Sequence, residues 1–125
     1  MSKIVAAAMA ALSIGMGANA AHAQAENPSQ GQKLFQQRCG ACHQVGTPRN
    51  GVGPTLQGLI GRKAGSVQGY NYSPALKASD VTWNAETLET FLANPSAMVR
   101  GTRMTQRFNS ADERRIIVEF LGSHQ

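Results

Sequence analysis

Cys39, Gly40, Ala41, Cys42 and His43 run consecutively and contain the only two cysteines of the chain. Two thiols three positions apart fit on one turn of backbone, and the histidine directly after the second can face the same side. Three kinds of chemistry suit that spacing. A C-x-x-C pair can cycle as a thioredoxin-like dithiol. Cysteine and histidine together can hold zinc, which takes four such ligands in a structural site. C-x-x-C-H is also the attachment signature of c-type haem, where each thiol reaches one vinyl group and the imidazole reaches the iron. The first option needs βαβ units, and the sequence shows none. The second needs two further ligands, and beyond residue 23 the only other histidine is His124, beside the C-terminus. A disulfide between residues this close would constrain little of the unfolded chain. Haem attachment remains, and the small Gly40 and Ala41 would let a flat ring lie close to the backbone.

Iron held by one histidine has a sixth position to fill. Met1, Met9 and Met16 fall in the first two dozen residues, which leaves Met98 and Met104. Both belong to a stretch read as loop, residues 96–109, between two helices. A lone methionine is more often core filler than ligand, and the spacing does not choose between the two.

The elements that must position these residues begin after a leader. Lys3 supplies a positive start, Ile4 to Met16 is an uncharged apolar run, and Ala21-His22-Ala23 has the small-x-small pattern of a cleavage site. The run is short for a bilayer span. We expect residues 1–23 to be a cleaved signal peptide, with Ala18-Asn19-Ala20 as a second cleavage candidate. Residues 24–125 then form a single exported domain, periplasmic and not membrane-spanning. Losing Lys3 lowers the formal charge from +5 to +4. That modest basic bias, with no basic run interleaved with aromatics, suits an acidic protein surface better than nucleic acid.

Ser29, with Gln32 three positions on, opens a helix that runs to about Cys39, in the pattern of a capping box. Residues 44–69 carry Gly46, Pro48, Gly51, Gly53, Pro54, Gly58, Gly61, Gly65 and Gly69, which break any long period. A loop that long inside a compact domain usually wraps something. Ser73-Pro74 starts a short helix to about Ala78. Asn84 caps a third, whose Leu88, Phe91 and Leu92 share a face before Pro95 ends it. Ser110 and Glu113 look like another capping box, opening a last helix with Ile116, Ile117, Phe120 and Leu121. The expected fold class is all-α: short helices joined by long glycine-rich loops wrapped around one covalently bound haem.

From Ser29 to Gly122 the sequence resembles class I cytochrome c, the mitochondrial type and its soluble bacterial relatives. The likeness includes Gly31, Phe35 and the Cys39–His43 motif. It continues through Gly53-Pro54-Thr55-Leu56, Gly61-Arg62-Lys63-Ala64-Gly65 and Gly69-Tyr70-Asn71-Tyr72. Thr82-Trp83, Asn94-Pro95 and Gly101-Thr102-Arg103-Met104 follow in the family's order. The resemblance implies that His43 and Met104 are the axial metal ligands. Thr102 stands in the same G-T-R-M stretch, counted among the cofactor-binding residues. Met98 falls where the family often has an aromatic. Pro54 would accept the proximal imidazole N–H, Tyr72 and Trp83 would donate to a haem propionate, and Arg62 would lie near it. Four departures stand out. Phe91 replaces a tyrosine that bonds the axial sulfur, and Leu76 a polar residue. Arg100 replaces a proline before the G-T-R-M stretch. Gln106 replaces an aromatic that shields the haem, a role open to Phe108.

His/Met ligation leaves the iron no open position for substrate, so the expectation is an electron-transfer protein and not an enzyme. It would be a soluble monohaem carrier, acting as a monomer. Its donor would be a quinol-oxidising complex or a periplasmic dehydrogenase, and its acceptor a terminal oxidase, each met through an acidic docking surface. The alternative is a haem enzyme or gas-binding protein with a labile sixth ligand, peroxidase-like in type.

Overall fold

A computed structural model describes residues 29–125. The signal peptide and its cleavage site, read in residues 1–23, and the following five residues lie outside it. Among the described residues five helices succeed one another: α1 (Gln30–Arg38), α2 (Pro74–Lys77), α3 (Ala85–Ala93), α4 (Pro95–Met98) and α5 (Ala111–Gly122). Their starts follow from capping chemistry. Ser29 Oγ accepts the Gln32 N–H at 3.1 Å, Ser73 Oγ the Leu76 N–H at 3.1 Å, and Ser110 Oγ the Glu113 N–H at 3.2 Å.

Two expectations need correction. The reciprocal half of a capping box forms neither at Ser29 nor at Ser110. Glu113 lies 3.9 Å from Arg38 instead. The complete box is at Asn84, where Thr87 Oγ1 accepts the Asn84 N–H and Asn84 Oδ1 accepts the Thr87 N–H, both at 2.9 Å. Residues 96–109 are also not all loop. Pro95 ends α3 and at once begins α4, because its fixed φ suits the first helical position, where no N–H is needed. Asn94 caps that turn by accepting the Ala97 N–H, so Met98 is helical.

Among the described residues there is no strand, only an isolated bridge between Lys63 and Thr82. Bonds from Ala64 N to Val81 O, Gly61 N to Trp83 O and Trp83 N to Arg62 O extend it. Helix α5 packs on both α1 and α3, and α3 on α4. A β-carbon on Gly31 would fall 2.8 Å from Phe120 Cβ, so the α1–α5 approach requires glycine there. The core draws Phe35, Leu88, Phe91, Leu92, Ile117 and Phe120 from helices. Leu59, Trp83, Val99 and Phe108 join it from loops. More than a third of the apolar framework is thus held by segments with no regular structure of their own.

Candidate functional site

Between these loops and helices lies a cavity of about 490 Å³. Cys39, Cys42, His43, Pro54, Arg62, Tyr72, Trp83, Thr102 and Met104 all line it, so every residue expected at the site is brought to one place. Leu88, Phe91, Leu92, Ile117 and Leu121 form its helical wall.

The attachment turn is an extension of α1. The Cys39 N–H donates to Phe35 O at 2.8 Å and the His43 N–H to Cys39 O at 2.9 Å. Both cysteines are free thiols. Burial pushes the Cys39 thiol up to about 11, although Arg38 beside it pulls the other way. His43 Nδ1 lies 2.8 Å from Pro54 O. A carbonyl can only accept, so Nδ1 carries the proton and Nε2 keeps its lone pair. Burial lowers the His43 pKa, opposed by the bond to Pro54, which favours the neutral imidazole that a metal needs. Gly53 closes this side: its N–H donates to Cys42 O, and any β-carbon on it would overlap the His43 ring.

At another part of the cavity, hydrogen-bond donors collect. Arg62 donates to Thr55 O at 2.8 Å and Gln57 O at 2.9 Å, which makes it a brace for the loop and not a surface charge. Burial lowers its pKa and the nearby Tyr72 raises it. The Tyr72 hydroxyl accepts the Val67 N–H at 3.1 Å and still has its own proton to give. Burial raises the Tyr72 pKa, while the Val67 bond and Arg62 work against that. Trp83 meets Phe91 edge-on, ring centroids 5.1 Å apart.

Met104 is half-buried on the cavity, flanked by Arg103, Thr105 and Gln106. The Thr102 N–H donates to Val99 O at 3.1 Å and fixes the turn before it. Met98 packs on the core from α4 and does not line the cavity. Phe108 is also absent from the lining. It is fully buried elsewhere, with its N–H on Leu92 O and the Arg38 guanidinium 5.1 Å above its ring. The expected substitution of Phe108 for the missing aromatic is therefore corrected: Gln106 itself lines the site. Sequence reasoning missed Val52, 74 % exposed at the rim, whose carbonyl accepts the Tyr70 hydroxyl at 2.7 Å. No period or motif marks a lone valine between glycines.

An apolar slot with two thiols and a ligand-ready imidazole at one place, and Arg62, Tyr72 and Trp83 at another, fits a flat apolar group bearing an iron and two carboxylates. A cage of this kind is suited to a haem attached through the two thiols. A sequence model of the family described as Cytochrome c matches residues 28–125. "Cytochrome c type-1" of Ascaris suum is 44% identical over 92 residues, covering 73% of this chain and 82% of that one. "Cytochrome c2" of Rhodomicrobium vannielii is 43% identical over 101 residues, 79% of this chain and 80% of that one. The solved structure of cytochrome cH from Methylobacterium extorquens superposes with a TM-score of 0.69 at 40% identity. It covers 74% of this chain and 94% of that one. The chain belongs to the cytochrome c family: it binds one haem c covalently through Cys39 and Cys42 and carries electrons.

Proposed function

We propose that the protein is a periplasmic shuttle for single electrons, its iron held by His43 and Met104. The observation that carries this reading is that one cavity collects both thiols, His43 and Met104, while Met98 lies off it. A haem with both axial positions filled exchanges electrons without binding substrate, and a methionine ligand raises its potential. The protein's part is to fix geometry. Pro54 sets the rotation of the His43 ring through the Nδ1–H bond, the usual device for orienting a ligating imidazole. Thr102 shapes the turn that delivers Met104. Tyr72 and Trp83, with Arg62 beside them, would hold the carboxylates of the group.

Residues 1–23 act as the export signal and 24–125 as the working domain, a monomer. Among the described residues no helix is long and apolar enough to cross a membrane. Arg100, Arg103 and Arg107 are exposed on the segment that carries Met104 and favour acidic partners. A quinol-oxidising complex or a periplasmic dehydrogenase would supply electrons, and a terminal oxidase would take them. The test is the near-infrared spectrum of the oxidised protein with carbon monoxide titration of the reduced one. A weak iron–sulfur band and no carbon monoxide complex at neutral pH are expected. No band and ready complex formation would replace the carrier by the peroxidase-like alternative.

A further inference from the structure

At the rim of the cavity two loops are clasped together by side chains. Asn50 Nδ2 donates to Gln68 O at 3.2 Å, and Asn50 Oδ1 accepts the Thr55 N–H at 2.9 Å. Two residues further along each loop, the Tyr70 hydroxyl donates to Val52 O at 2.7 Å. Asn50 is therefore the hub of the clasp, using both ends of its amide. It is also the only asparagine in the chain that is followed by glycine.

That dipeptide carries its own chemistry. A backbone nitrogen can attack the amide carbon of the preceding asparagine side chain, and glycine offers no β-carbon to obstruct the approach. We propose that Asn50–Gly51 is a modification site: spontaneous deamidation, slow while the clasp is closed, converts Asn50 to aspartate or isoaspartate and permanently breaks the Asn50 half of the clasp. The Gly51 nitrogen gives its proton to water and bonds to Asn50 Cγ. The Cγ–Nδ2 bond breaks and Nδ2 leaves as ammonia. Water then opens the five-membered imide at one of its two carbonyls. No oxidant or reductant takes part, and the mass rises by that of an NH-to-O exchange.

The closed fold opposes the first step. The Gly51 N–H donates to Gly53 O at 2.9 Å, and both polar atoms of the Asn50 side chain are bound elsewhere, so attack waits on local opening. The product cannot restore the clasp. Aspartate has no N–H for Gln68 O and sets an oxygen against it, and isoaspartate adds a backbone atom. Thr55, whose N–H Asn50 accepts, directly follows Pro54, whose carbonyl holds His43.

The test is peptide mass mapping of the haem-loaded protein during incubation at mildly alkaline pH, against the same protein unfolded in guanidinium. Deamidation at Asn50 should be roughly tenfold or more slower in the folded protein. Tyr70→Phe, which removes the other half of the clasp and leaves Asn50–Gly51 intact, should speed it. Asn50→Asp keeps an oxygen for the Thr55 N–H but loses the donor to Gln68 O, so it should quicken amide exchange in the Gln68 loop, at Val67. Equal rates in folded and unfolded protein, no acceleration in Tyr70→Phe, or unchanged exchange in Asn50→Asp would overturn the proposal.

Discussion

The two sides of the cavity are built differently. On the His43 side many backbone groups are tied. Gly53 N bonds Cys42 O, Leu56 N bonds Gln44 O, Thr55 N meets Asn50, and Arg62 holds the carbonyls of Thr55 and Gln57. On the Met104 side residues 103 and 105–107 are exposed. The ties there are fewer: Thr102 N to Val99 O, Phe108 N to Leu92 O, Arg103 to Asn71 O at 2.6 Å, and, at the far end of the segment, Arg114 to Phe108 O at 2.7 Å and Asn109 O at 3.1 Å. Local stability follows the density of such bonds. The histidine is held as part of the framework, and the methionine as part of a lightly pinned segment, so ligand exchange belongs on the methionine side.

The largest effect should come from removing what both sides share. With Cys39→Ser and Cys42→Ser together, haem should be lost on acid–organic extraction. Circular dichroism should show most helix lost, because the helices pack around the cavity as much as on one another. Retained helicity without haem would make the cavity a preformed pocket. Next in size is Met104→Ala. It should abolish the iron–sulfur band and lower the potential by on the order of 0.2 V, part of the span of about 0.8 V that axial ligands command. Met98→Leu should leave both nearly unchanged, and the reverse pattern would break the assignment of the two sides.

A wedge on the tight side sharpens the comparison further. Gly53→Ala should cost about 1–3 kcal/mol of stability in denaturant titrations, because the added methyl must displace the His43 ring. On the loose side, Phe91→Tyr adds a hydroxyl to a residue that lines the cavity. A new hydrogen bond to the axial sulfur, worth about 1 kcal/mol, would raise the potential by roughly 40 mV. No shift would mean the hydroxyl falls short of Met104.

The smallest effect concerns pH. Burial raises the Tyr72 phenol in the fold. Its contribution to stability is complete below the ordinary tyrosine value of about 10. It fades as pH rises toward the folded value, since the unfolded chain surrenders its proton first. Denaturant titrations from pH 9 upward should show that decline, and Tyr72→Phe should flatten it. In the same range the Met104 segment offers no lysine as a replacement ligand. An arginine in that segment is no substitute, since a guanidinium does not serve as a replacement ligand, and Lys63 lies 3.3 Å from Asp80. Methionine should therefore persist to higher pH than in relatives with loop lysines, or yield to hydroxide. Spectra showing a lysine nitrogen on the iron would contradict this.

Legibility in the sequence followed the range of the cause. Ser73, Asn84 and Ser110 act on amides three residues away, so the helices were readable from local pattern. The Cys39–His43 turn was readable for the same reason. Pro95 was ambiguous because one residue both ends α3 and starts α4, and only the chain direction after it decides. Arg62 and Phe108 were the hardest. Their partners, Thr55 O and Gln57 O for one and Leu92 O for the other, are set by how distant loops fold back. The resemblance set Arg62 near a propionate and left the haem shield open to Phe108, and neither motif carries the loop partners that the fold gives these two residues.

The notch at Gly31 has a mechanical meaning. Phe120 seats in it so closely that α1 and α5 hold each other, and everything between them is closed into a hoop. A protein stretched from residues 29 and 122 should resist at that junction first, and the loops around the haem should feel tension only after it parts. Any side chain at position 31 would act as a weaker rivet, lowering the breaking force of the whole domain while leaving every residue of the cavity as it was.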